Sequence, residues 1–212
     1  MNNIVRLNNE MKDTCKELGY KTVSFEDFKK IHMNEFSGRD MAICHITKME
    51  RLNNGVCFTF DTGETVTALY DGAIFKNNKK YSYMQGRQRI NNIGGYNSNS
   101  STYAEFIIAL QSCFIFDTFP ATFKNVVVNV MDGSANEETS DKLGCKIDCS
   151  LANIEWTTMS RNSRHGQIVK KLRKNNCLSY KFSSWDDQLL NISKCHDFRT
   201  LKLNLIMNHI IR

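Results

Sequence analysis

Four valines fall within the seven positions Lys124-Asn-Val-Val-Val-Asn-Val130, and no other stretch restricts the backbone as tightly. Branching at Cβ leaves few side-chain rotamers in a helix and packs well on a pleated surface, so this run is expected to be a β-strand. Gly133 ends it. Ser150 to Trp156 reads as a second extended piece. From about Ser160 the period turns helical, with Ile168, Val169 and Leu172 set among Arg164, Lys170, Lys171, Arg173 and Lys174. Strand, extended piece and helix in that order point to an α+β fold.

The remaining segments agree with that class. Ile4, Leu7, Met11, Cys15 and Leu18 recur at helical spacing over residues 3–20, and Gly19 supplies a stop. Ser24-Phe25-Glu26-Asp27 looks like a capping-box start. It leads into a second helix through Phe28, Ile31, His32 and Phe36 that Gly38 closes. Met41 to Ile46, Val56 to Phe60 and Thr65 to Tyr70 read as strands, with Asn54-Gly55 as the turn between the first two. Residues 105–116 are strongly apolar and are expected to form one buried helix that ends before Pro120. Residues 189–192 and 201–211 suggest further helices. Three segments are therefore expected: a small α+β unit over 1–93, a domain over 94–175, and a helical extension over 176–212.

Charge narrows the function classes. Residues 161–212 hold 11 Lys and Arg against 3 Asp and Glu, a surplus of +8; the whole chain is +6, so the first 160 residues carry −2. Positive charge gathered in the last quarter suits contact with a polyanion, most simply nucleic acid. No apolar stretch approaches the length of a membrane span, and the N-terminus lacks the apolar core of a signal peptide. A cytoplasmic location follows as the expectation, with the eight cysteines as reduced thiols. None of them forms a CxxC pair. Cys145 and Cys149 stand four apart and Cys195 precedes His196, a spacing that is weak support for a zinc site, and small semi-buried thiols are the expectation.

Two stretches carry chemistry. Asn129-Val-Met-Asp-Gly133 closes the valine strand, and Asn153-Ile-Glu-Trp-Thr-Thr-Met-Ser-Arg-Asn-Ser-Arg-His165 spans the second extended piece and the helix start. Together they resemble the core of the HNH homing-endonuclease-type family. That family has Asn or Asp, His, a hydrophobic residue, Asp and Gly at the strand end. It then has Asn-Leu-Glu-Trp and Thr-x-Ser-x-Asn-x-x-His. The resemblance covers roughly residues 94–175. It extends loosely to Tyr96 and the apolar helix, which lacks the family's histidine, and the 134–152 span is longer than is usual there.

The resemblance implies a ββα-metal fold, a Mg²⁺ ion and double-stranded DNA as partner. It would make Asn129 and Asn162 the metal contacts, Asn153 the residue that orients the general base, and position 130 the base itself. Position 130 is Val, which accepts no proton, and histidine is absent from residues 46–164. Two neutral amides are also weak partners for Mg²⁺, which prefers anionic oxygen. The expectation is a nuclease-derived nucleic-acid-binding protein without the cutting step, serving a regulatory or inhibitory role in a phage or other mobile element. Arg161, Arg164, His165, Lys170, Lys171, Arg173 and Lys174 would meet phosphates. The alternatives are an active, divergent metal-dependent endonuclease, and an interaction factor that binds a host protein on the same scaffold.

Overall fold

The stripe Ile4, Leu7, Met11 and Cys15 buries one face of helix α1 (Asn2–Leu18). Gly19 ends it at φ +70°, with Tyr20 N donating to Cys15 O at 2.8 Å and Gly19 N to Lys16 O at 3.2 Å. This is the left-handed closure that glycine adopts without strain. The computed structural model that shows this describes residues 2–35, 37–80, 89–90, 102–131 and 148–174, with the backbone alone at 89–90, 102–103 and 168–174.

After the short strand β1 (Thr22–Val23), helix α2 (Phe25–His32) starts on Ser24, whose Oγ accepts from Asp27 N at 3.2 Å. Here the structure departs from the sequence reading. Helix α2 stops at His32, and Gly38 caps a new helix, α3 (Arg39–Cys44), in place of the expected strand from Met41. Met41, Ala42, Ile43 and Cys44 are all buried, and a short apolar run buried all round has no period that separates helix from strand.

An antiparallel meander follows, in the order β2 (Ile46–Leu52), β3 (Gly55–Phe60), β4 (Thr65–Leu69), β5 (Ile74–Lys76), β6 (Lys79–Lys80). Gly55 pairs with Leu52, so the turn itself is Asn53-Asn54 rather than Asn54-Gly55. The glycine is needed for another reason: a Cβ there would lie 2.2 Å from Ala68 O on the neighbouring strand. At the other end Asn77 and Asn78 have φ of 49° and 61° between the paired Lys76 and Lys79, the geometry of a tight primed hairpin turn.

Strands β7 (Arg89–Ile90) and β8 (Thr102–Tyr103) pair with each other and lead into α4 (Ala104–Ile115). Every residue of α4 from Ala104 to Cys113 is buried, as expected for this segment. The helix closes before Pro120 on Asp117, at φ 46°, with Thr118 N donating to Cys113 O at 2.9 Å. Strand β9 (Phe119–Pro120) returns to pair with β1. Strands β10 (Val126–Val130) and β11 (Ile154–Thr158) form an antiparallel pair, and helix α5 (Met159–Lys174) begins at the next residue.

The fold is thus α+β with antiparallel sheets, in two compact units: residues 1–158, and residues 159–212, of which α5 is the described part. The boundary expected at 93/94 and the helices expected beyond 175 lie outside the described residues. On both sides of 93/94 one hydrophobic cluster runs from Ile4, Leu7 and Phe28 through Val56 and Phe58 to Phe106, Phe123 and Trp156. No helix among the described residues is long and apolar enough to cross a membrane.

Phe123 is fully buried, stacked on Trp156 at 5.6 Å and edge-on to Phe106 at 5.1 Å. Phe123→Ala should therefore lower unfolding stability by about 3–5 kcal/mol, the usual cost of emptying an aromatic site. Ile31, at 51% exposure, should tolerate alanine within about 0.5 kcal/mol. Urea unfolding with unchanged slope tests both, and equal effects would contradict the placement of the core.

Candidate functional site

The site suggested by the sequence lies at the end of the β10–β11 hairpin. Its register is continuous from Val126↔Thr158 to Val130↔Ile154. Opposed residues share a face and successive residues alternate. Val126, Val128, Val130, Ile154 and Trp156 therefore point into the core, and all belong to the hydrophobic cluster. Asn129 and Glu155, paired across the strands, stand on the opposite face. There Asn129 Nδ2 donates to Glu155 Oε1 at 2.7 Å, and Asn129 is only 3% exposed.

Val130 is 4% exposed and meets Ile154. It cannot take a proton from water, and it belongs to the hydrophobic core. Asn153 ties the loop to the strand end: its carbonyl accepts from Met131 N at 2.9 Å, its N–H donates to Ser150 O at 2.9 Å, and Nδ2 donates to Asp148 O at 2.7 Å.

Sequence reasoning missed Arg6 and Glu10. Both lie on α1, which packs against β11. Arg6 Nη2 donates to Leu151 O at 2.6 Å and Ile154 O at 2.9 Å, while Nη1 donates to Glu10 Oε1 at 2.5 Å. Glu10 Oε2 accepts from Trp156 N at 3.2 Å. The carboxylate thus covers a backbone donor on the side of β11 away from β10, which blunts an open strand edge. Burial pushes the Glu10 carboxyl up to about 7; Arg6 opposes that shift and the Glu155 charge adds to it. The only sequence signal for this pair was an Arg and a Glu four apart beside the apolar stripe. That spacing ordinarily marks a solvated helix pair.

The basic residues fall on α5 in the second unit. Arg161 and Arg164 are exposed, Asn162 is half-buried and His165 is buried. Lys170, Lys171, Arg173 and Lys174 occupy the C-terminal part of the same helix. Asn129, Val130 and Asn153 come together in the first unit. Of the paired cysteines, Cys149 is buried and Cys145 lies outside the described residues.

At this hairpin end Asn129 brings a neutral amide whose Nδ2 donates to Glu155 Oε1, Glu155 brings a carboxylate, and Val130 brings no donor. Among the described residues no three His, Cys, Asp or Glu side chains converge. Comparisons with family models, curated proteins and solved structures return no match for this chain.

Glu10 provides a pH test of this arrangement. Its carboxyl ionises near 4.5 when unfolded and near 7 when folded. The folded state therefore binds the extra proton between those values, and the contribution of Glu10 to stability falls as pH rises from about 4.5 to about 7. Glu10→Gln removes that slope. The stability difference, variant minus wild type, should grow in favour of the variant across this window in urea unfolding at pH 5, 6, 7 and 8. A pH-independent difference would show that the carboxyl is not strained.

Proposed function

We propose that this chain binds nucleic acid, double-stranded DNA in the first place, on a scaffold derived from the HNH endonucleases, and that it does not cut what it binds. The observation that carries this reading is Val130. By resemblance it occupies the position of the general base, and it is an aliphatic side chain sealed into the core opposite Ile154. The order of elements supports the scaffold: a hairpin whose second strand runs into a helix, with Asn153 just before that strand and Ile154-Glu155-Trp156 within it. Arg161 and Arg164, exposed near the start of that helix, are the residue types that meet phosphates. Such a protein would occupy or shield a site rather than break it, a regulatory or inhibitory use that suits a phage or other mobile element in the host cytoplasm.

Two measurements decide this. The first is a gel shift on duplex DNA across a salt series. Affinity should fall steeply, because each neutralised phosphate releases counterions. Replacing Arg161, Arg164, Lys170 and Lys171 together by alanine should lower the log–log salt slope by about one unit for each phosphate that is no longer neutralised. Binding that ignores this variant would remove α5 from the interface.

The second is plasmid nicking with Mg²⁺ or Mn²⁺. General-base catalysis is worth about 10²–10⁴-fold, so wild-type protein should show no appreciable cleavage. Robust metal-dependent cleavage that Asn162→Ala abolishes would establish the alternative, an active and divergent nuclease.

A further inference from the structure

The corner between α2 and α3 holds a buried histidine that the hairpin reading does not use. His32 is the last residue of α2, 4% exposed, with its ring against Phe28 at 4.6 Å. Its Nε2 lies 2.8 Å from Ala121 O and its Nδ1 lies 2.6 Å from Glu35 Oε1. A carbonyl only accepts, so Nε2 must carry a hydrogen. A neutral ring would then turn a bare Nδ1 lone pair towards an ionised carboxylate at 2.6 Å. A second proton has to lie between His32 and Glu35, whichever of the two formally owns it.

The surroundings favour that proton. Asp40 on α3 comes within 3.9 Å of Nε2. Arg39, also on α3, is turned towards Phe123 O at 2.7 Å and lies over the Phe106 ring at 4.2 Å. Lys29 and Lys30 on α2 are paired with Glu26 and Asp27. Burial alone would push the imidazole down. The bonds to Glu35 and Ala121 and the charges of Asp40 and Glu35 outweigh it and leave the ring above its ordinary 6.5.

The same corner grips one short segment. Asp40 Oδ2 accepts from Thr122 Oγ1 at 2.9 Å and from Phe123 N at 3.0 Å. Together with the His32 bond to Ala121 and the Arg39 bond to Phe123, this fastens residues 121–123, the backbone that enters β10. We propose that His32 and Glu35 form a proton-operated latch, which holds the α2–α3 corner on residues 121–123 and loosens when the shared proton leaves, because the one remaining ring hydrogen then serves Nδ1 beside the carboxylate and Nε2 turns a bare lone pair to Ala121 O. The latch contributes its stability in full below the unfolded imidazole value of 6.5 and loses it as pH rises through the higher folded value.

The test is ¹⁵N NMR of the imidazole rings in the full chain from pH 6 to 10, with amide exchange followed in parallel. His32 should carry hydrogen on both nitrogens at pH 6 and titrate above 6.5. Over the same interval the protection factor of Phe123, corrected for intrinsic exchange, should fall by about tenfold or more, the scale of losing one charged hydrogen bond. Amides of β3 and β4 should keep theirs. Glu35→Gln, at a side chain that is 45% exposed and so leaves the core intact, should lower the ring midpoint and carry the loss of protection down with it. A ring midpoint at or below 6.5, or Phe123 protection that stays level through the ring titration, would overturn the latch.

Discussion

Trp156 joins the parts of the first unit that local structure would leave apart. Its ring stacks on Phe123 and meets Phe106 edge-on at 5.5 Å, and its Nε1 donates to Ser112 Oγ at 3.3 Å. One side chain therefore holds β11 against α4 and against the segment that leads into β10. A two-stranded hairpin is marginal by itself in water, so this one depends on the helix behind it. Burial of Val128, Val130, Ile154 and Trp156 on one face also sets the register. A slip by one residue would drive Asn129 and Glu155 into the core, which no apolar contact could offset.

Around that apolar joint, side chains from the first forty residues satisfy backbone groups that the short sheets leave unpaired. Arg6 takes Leu151 O and Ile154 O, Glu10 takes Trp156 N, Asp40 takes Phe123 N, and Arg39 takes Phe123 O. A buried backbone group without a partner costs about as much as a missing hydrogen bond, so each of these bonds weighs on the stability of the hairpin. They join residues from 83 to 148 positions apart in the chain. The N-terminal helices are thus part of the foundation of the hairpin.

Much of this fold was legible from periodicity. Helices α1 and α4, strands β3, β4 and β10, the Ser24 cap and the glycine stop at residue 19 follow patterns that act over a few residues. The misread elements were those without such a pattern. The Met41–Cys44 run of helix α3 is apolar at every position and looks like a strand. Gly55 was assigned to a turn, whereas its lack of a side chain serves the close approach of Ala68. Arg6 and Glu10 were not singled out, because their partners lie some 145 residues away.

What the sequence by itself determined is the α+β class, the buried apolar helix, and the chemistry available at position 130, where valine accepts no proton wherever it points. Tertiary structure alone decided that Val130 faces the core opposite Ile154 while Asn129 pairs with Glu155 on the other face. It also decided that the Asn129 amide is engaged by Glu155, and that a glutamate of α1 is pushed to about 7 by burial against β11. The physical reason is one of range. Periodicity and capping are settled within a turn or two of chain. Desolvation, pairing register and charge coupling depend on which distant segment arrives beside a residue, and that is set only when the core closes.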